Sequence, residues 1–245
     1  MNPTSPGSGA IRIGRLLGIE LFVDPWIALP FLMVASSNSN MGLGLAWMGI
    51  VFVSVLLHEY GHALAGRSCG VKTHSITLGM LGGVALLENK QRTVKQDLWI
   101  TVAGPLVNVV LWLGCTVLLT RLIMVGQDAA WMEWLAVTAY LNWWLLLFNL
   151  IPAFPMDGGR ILHGLLLLAG QSRWKALYVV SVVACIAAVG MGAWGLWDWL
   201  SEESSFPIFR LLIAWQVWVG ARQRLSFLKQ IEHTAPELAP GPGQI

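Results

Sequence analysis

The sequence predicts an all-α polytopic membrane protein with about six transmembrane helices and a small membrane-associated β-hairpin. Three observations carry this expectation. Of the 245 residues, 56% are hydrophobic and only 11% are charged, where a soluble domain carries roughly a quarter. The 14 tryptophans suit a chain whose indoles gather where hydrocarbon meets headgroups. Apolar runs recur along the chain, separated by short stretches that collect Gly, Pro and the basic side chains. A formal net charge of +2 gives no reason to expect a nucleic-acid partner, whereas the lipid bilayer is implied directly. Cys69, Cys115 and Cys185 are isolated, with no Cys-x-x-Cys pair, and read as small hydrophobes.

Three regions follow: an N-terminal interfacial segment at 1–24, a membrane-embedded body at 25–220 with a hairpin at about 72–90, and a polar tail at 221–245. Residues 1–10 are polar, without a basic stretch leading into an apolar core, so a cleaved signal peptide is not expected. From Ile11 to Asp24 apolar and polar residues alternate around Gly14 and Gly18, which suits a strand or interfacial hairpin. A first span is expected at about 25–36, short against the roughly 20 residues that a crossing needs, and an uncharged turn follows at 37–41. The second span covers about 42–66.

Between Arg67 and Lys95, β-branched residues and a break at Gly82-Gly83 suggest a hairpin at the membrane surface. Its exposed edge could accept an extended peptide as an added strand; an ordinary loop fits equally well. The third span, about 97–122, carries Asn108 at depth, where the simplest use of an amide is hydrogen bonding between helices. The fourth, about 131–151, runs into Asn149-Leu-Ile-Pro-Ala-Phe-Pro-Met-Asp-Gly-Gly-Arg160. Prolines and paired glycines prevent a continuous helix there, and non-helical backbone at membrane depth is tolerated only against protein or a wet cavity. A short apolar helix at 161–170, spans at about 174–197 and 206–220, and a fraying tail complete the reading.

The second span holds the chemistry. No charged residue occurs from Leu43 to Leu57, and then His58, Glu59 and His62 appear in succession. Ionisable groups in hydrocarbon cost at least a few kcal/mol each unless a metal or partner compensates. On a helix His58 and His62 project from one face and can grip one cation, with Glu59 beside them. In a His-Glu-x-x-His helix the imidazoles are zinc ligands and the glutamate is the general base toward water. Asp157, delivered to a cavity by the broken backbone, can complete a three-ligand shell for one Zn²⁺. It can also N-cap the helix that begins near Gly158, and the two uses are compatible.

Orientation follows from charge: with six spans, all Lys and Arg except Arg121 and Arg210 fall on one side of the membrane. The positive-inside rule then puts both termini, the hairpin and the mouth of the metal site in the cytoplasm, in what reads as a bacterial cell membrane.

These motifs resemble the site-2 proteases, a family of intramembrane zinc metalloproteases. The matching pieces are HEYGH at 58–62, ITLGMLGGVALLE at 76–88, AGPLVN at 103–108 and NLIPAFPMDGG at 149–159, in family order, covering about residues 14–170. The resemblance implies His58, His62 and Asp157 as zinc ligands and Glu59 as general base and later proton donor. It implies Asn108 as a catalytic group that positions the substrate peptide or the oxyanion. Gly82, Gly83, Val84 and Asn149 become candidates for holding an unwound substrate strand. The implied reaction is cleavage of a single-span membrane protein within or beside its transmembrane segment, as in regulated intramembrane proteolysis; nothing in the sequence bears on oligomeric state. The expected form is compact, without the PDZ or nucleotide-sensing domains of many members, and Asp24 stands where many relatives carry histidine. A catalytically inactive helix-binding scaffold would have no need of Glu59. A zinc transporter would spread its ionisable groups over several spans. His74 and His233 read as solvated, and His163 as facing the interface.

Overall fold

The computed structural model describes residues 9–28, 41–79, 82–88, 90–201 and 207–234. Most of the span expected at 25–36 and the turn at 37–41 lie outside the described residues. Pro25–Ile27 form a single 3-10 turn, capped where Trp26 N donates to Asp24 Oδ1 at 3.0 Å. The chain divides into two compact units, residues 1–147 and 148–245.

Among the described residues, the first unit is built on a four-stranded sheet and three helices. Strands β1 (Ile11–Leu16) and β2 (Ile19–Val23) are antiparallel. Leu17 and Gly18 join them at φ 50° and 81°, the pair of positive values that lets a two-residue turn match the twist of its strands. Strands β3 (Thr73–Gly79) and β4 (Gly82–Leu87) are also antiparallel, with Leu78 opposite Gly83. β2 and β3 run parallel, Leu21 beside Ile76 and Val23 beside Leu78, which fuses the hairpins into one sheet of order β1-β2-β3-β4. Parallel neighbours need a crossover connection, and helix α1 (Met41–Ser68) lies within it.

Two expectations are corrected here. The predicted single hairpin is half of a larger sheet, because its β2 partner is remote in sequence. Gly82 and Gly83 open β4 instead of forming the turn, and the connection falls on residues 80–81, outside the described set.

One face of the sheet buries Ile19, Leu21, Ile76 and Leu78 against Tyr60 and Ala63 of α1. Tyr60 Oη donates to the Leu16 carbonyl at 2.9 Å, and the Arg67 guanidinium donates to the Leu17 carbonyl. The sheet is thereby fastened to the end of α1 that carries the histidines. Helix α2 (Val94–Met124) starts with a capping box between Thr93 and Gln96. It packs on α1 at Gly61, where a Cβ would come within 2.6 Å of the Ala103 carbonyl oxygen. Helix α3 (Met132–Asn149) crosses into the second unit at its last residues.

The second unit contains α4 (Asp157–Leu168), α5 (Arg173–Ser201) and α6 (Pro207–Thr234). The face of α5 bearing Ala176, Val180, Ala184 and Ala188 is buried, as are Ala214, Val217 and Ala221 on α6, the helix packed most extensively against it. Small side chains suit close helix approach where lipid gives no hydrophobic drive. Helix α6 runs past Gly220 to Thr234, where a polar, frayed tail was expected from Ala221. Arg222, Gln223, Arg224 and Leu225 are good helix formers, and Ala221 and Leu228 are buried. Rising polarity does not mark where the helix stops. Residues 235–245 lie outside the described set.

The mostly helical membrane architecture with a small sheet stands. Among the described residues, α1 from Gly42, α2 and α5 are long and apolar enough to cross a bilayer.

Candidate active site

On α1, His58, Glu59 and His62 are all buried, and one ligand-capable atom from each lies within 4.8 Å of the others. The imidazoles meet edge to face, with ring centroids 4.7 Å apart and the two Nε2 atoms at 3.1 Å. Each Nδ1 faces an oxygen. His58 Nδ1 lies 2.5 Å from Asn108 Oδ1, and His62 Nδ1 lies 2.7 Å from the Ile100 carbonyl oxygen. Both oxygens are acceptors, so each Nδ1 carries the hydrogen and each neutral ring keeps its lone pair on Nε2. Two lone pairs aimed together at 3.1 Å repel unless a cation lies between or beside them. The donor set therefore fits a metal that prefers imidazole nitrogen.

Helix α2 forms the floor. A side chain at Gly104 would collide with His62 Nε2 and come within 2.7 Å of His58 Nε2, so only a bare backbone fits beneath the rings. Pro105, inside the same helix, removes the N–H that would have bonded the Thr101 carbonyl and opens the ladder beside Ile100. Asn108 is fully buried, with Oδ1 on His58 and Nδ2 donating to Asn142 Oδ1 at 2.9 Å. Its amide is thus engaged with a candidate ligand and a neighbouring helix.

The sheet forms the other wall. A Cβ on Gly83 would overlap the Glu59 side chain and lie 2.9 Å from its Oε1, so the start of β4 passes directly over the carboxylate. β4 is an edge strand, and the Val84 side chain is exposed. Gly82 has open space around it at φ 131°.

Asp157 and Asn149 belong to the second unit. Asp157 is buried at the first position of α4; Met156 is the N-cap and makes no side-chain cap bond, so the capping use expected of Asp157 is replaced by a carboxylate placed in the positive first turn. Arg160 Nη1 approaches Asp157 Oδ1 at 3.9 Å. The segment before it folds back on α4 because Gly158 and Gly159 leave room: a Cβ on Gly158 would strike the Leu150 carbonyl, and one on Gly159 would lie 2.7 Å from Phe154 N. Asn149 is the last residue of α3 and partly buried. His163 lies beside Phe154, ring centroids 6.4 Å apart, and the Arg224 guanidinium of α6 sits over the Phe154 ring at 4.3 Å from its centroid. His74 is exposed.

Sequence reasoning missed Asn142, the Ile100 carbonyl and the need for glycine at 104. Asn142 carried the signal used for Asn108, an amide inside an apolar run. Backbone carbonyls leave no such trace.

Comparison with known proteins follows the same lines. The model of Peptidase family M50 matches residues 46–130 and 122–189. A putative zinc metalloprotease of Synechocystis sp. is 32% identical over 221 residues, covering 84% of this chain and 57% of that protein. A zinc metalloprotease of Methanocaldococcus jannaschii is 37% identical over 220 residues, covering 87% and 60%. The chain thus spans little more than half the length of these relatives. Among solved structures, a site-2 protease from Methanocaldococcus jannaschii superposes with a TM-score of 0.61 at 29% identity, over 88% of this chain and 94% of that one. With a family match over more than half of its residues, including His58, Glu59 and His62, the chain belongs to Peptidase family M50.

Proposed function

We propose that this protein is an intramembrane zinc endopeptidase that hydrolyses a peptide bond within or beside the transmembrane segment of a single-span membrane protein. The observation that carries the reading is the facing pair of Nε2 atoms on α1, each ring held by a bond at Nδ1, with a buried carboxylate within ligand distance. His58, His62 and Asp157 would hold one Zn²⁺. When bound, the ion supplies Lewis acidity that polarises the scissile carbonyl and acidifies water.

The chain's own residues do the rest. Glu59 takes the proton of the attacking water and returns it to the leaving nitrogen. Burial of that carboxylate beside the ligands keeps it out of bulk water and within reach of the reacting atoms. Asn108 acts through His58, holding its ring in the orientation that leaves Nε2 to the metal. A helical substrate hides its carbonyls in its own hydrogen bonds and must unwind before attack. Among the described residues no strand pairs with the outer edge of β4, whose backbone at Gly82, Gly83 and Val84 offers groups to such an extended strand, directly above Glu59. Asn149, closing α3, is assigned to the same strand. The protein would sit in a bacterial cell membrane with both termini cytoplasmic, which supplies the water.

The test is cleavage of a reconstituted single-span substrate with zinc measured in parallel. Glu59→Gln is expected to bind zinc in full and lose cleavage; His58→Ala is expected to lose both. Wild-type turnover by Glu59→Gln would refute the mechanism.

A further inference from the structure

We infer that Asn142, in the middle of α3, is a positioning residue that sets the tautomer of His58 through Asn108. The inference rests on the zinc reading above and concerns how one ligand is prepared. Four buried polar side chains and one main-chain carbonyl are linked: Asn142 Nδ2 donates to the Thr138 carbonyl at 2.9 Å and to Ser54 Oγ at 3.0 Å, Asn108 Nδ2 donates to Asn142 Oδ1 at 2.9 Å, and Asn108 Oδ1 meets His58 Nδ1 at 2.5 Å. Asn142 and Asn108 are both fully buried, and Ser54 is 3% exposed.

The direction of the line is fixed at one end. Either amide, taken alone, could be turned about to exchange its oxygen and nitrogen. The Thr138 carbonyl is a main-chain acceptor and can face only a donor, so Asn142 must present Nδ2 to it and Oδ1 to Asn108. Asn108 must then donate with Nδ2 and turn Oδ1 to His58. His58 Nδ1 must carry the hydrogen, and Nε2 keeps the lone pair directed at His62 Nε2. An unconstrained imidazole prefers the opposite tautomer, with hydrogen on Nε2, which cannot ligate. One peptide carbonyl on α3 thus specifies a metal-competent nitrogen on α1, two helices away. His62 needs no such relay, because a peptide carbonyl, that of Ile100, faces its Nδ1 directly.

A packing role for Asn142 predicts sensitivity to volume; a polar relay predicts sensitivity to direction. Asn142→Leu keeps similar volume and removes both ends of the relay. Asn142→Asp, in its protonated form, can donate its O–H to the Thr138 carbonyl and accept from Asn108, so it preserves the direction.

The experiment uses purified full-length protein in two arms. In the first, zinc affinity is measured by chelator competition. Asn142→Leu is expected to bind about 10–100-fold more weakly, the range typical for loss of an outer-shell partner, with Asn142→Asp close to wild type. In the second, metal-free protein with ¹⁵N-labelled histidine is examined by NMR, the His58 signals being assigned by their loss in His58→Gln. Wild type and Asn142→Asp should carry hydrogen on Nδ1, and Asn142→Leu should move toward the Nε2–H form.

If Asn142→Leu does not fold, Asn142→Ala takes its place in both arms. Equal zinc affinity and an unchanged His58 tautomer in the relay-broken variant would overturn the inference, as would equal losses in the Leu and Asp variants. Wild-type protein that binds no zinc would instead overturn the metal reading, and the tautomer arm would still decide the role of Asn142.

Discussion

Gly104 lies against the two candidate ligand rings and Gly83 against the proposed base, and their replacement should separate metal binding from proton transfer. A methyl at Gly104 would strike both imidazoles from the backbone of α2, and neither ring can withdraw while its Nδ1 is held. Gly104→Ala should therefore weaken zinc binding by at least about tenfold, as disturbed outer-shell support does. The three atoms nearest to a methyl at Gly83 all belong to the Glu59 side chain, which can swing aside. Gly83→Ala should retain zinc and lose turnover by about 10²-fold, the cost of displacing a reacting group by about 1 Å. Zinc content and kcat measured on both variants check the contrast; zinc loss from Gly83→Ala would mean that Glu59 supports the ligands as well. At this scale the ionisable members were readable in the sequence, because His58, Glu59 and His62 are out of place in hydrocarbon. Their supports were not. A peptide carbonyl is present at every position, and glycine at 104 is required by a side chain on another helix.

Among the elements, hairpins were more legible than the sheet that they form. Gly18 and the β-branched runs announce local turns and strands, whereas the parallel pairing of β2 with β3 depends on α1 returning the chain, and no local pattern encodes that distance. Helix α6 was misjudged because charge was read as the end of order. Its start carries a further consequence. Asp198 of α5 is buried and paired with Arg210 of α6, whose guanidinium also lies 4.4 Å over the Trp194 ring. Removing one member of a buried pair leaves an uncompensated charge, typically at a cost of about 3–5 kcal/mol, while replacing both by apolar residues can be neutral. Arg210→Met should lower the thermal unfolding midpoint in detergent markedly, and Asp198→Leu combined with Arg210→Met should recover most of it. Equal midpoints for wild type and Arg210→Met would show that the pair contributes nothing.

For the molecule in its membrane, the first unit carries the residues that bear on the proposed orientation. α1 ends at Ser68 and leads at once into β3 and β4, and α2 begins at Val94, so the sheet and both helix ends share one side; the α2–α3 connection around Gln127 lies on the other. Arg67, Lys72, Lys90, Arg92 and Lys95 collect on the sheet side, against Asp128 and Glu133 near the connection. Lys and Arg set topology and Asp and Glu contribute little, so the proposed orientation, with the sheet side cytoplasmic, is the one this distribution favours. Gln127 and Lys72 are both exposed and can report this. With Cys69, Cys115 and Cys185 changed to serine, Gln127→Cys should react with a membrane-impermeant maleimide on intact cells, and Lys72→Cys only after the membrane is opened. The opposite pattern would place the Glu59 end of α1 outside the cell, and water and substrate would then have to reach the zinc site from the extracytoplasmic face.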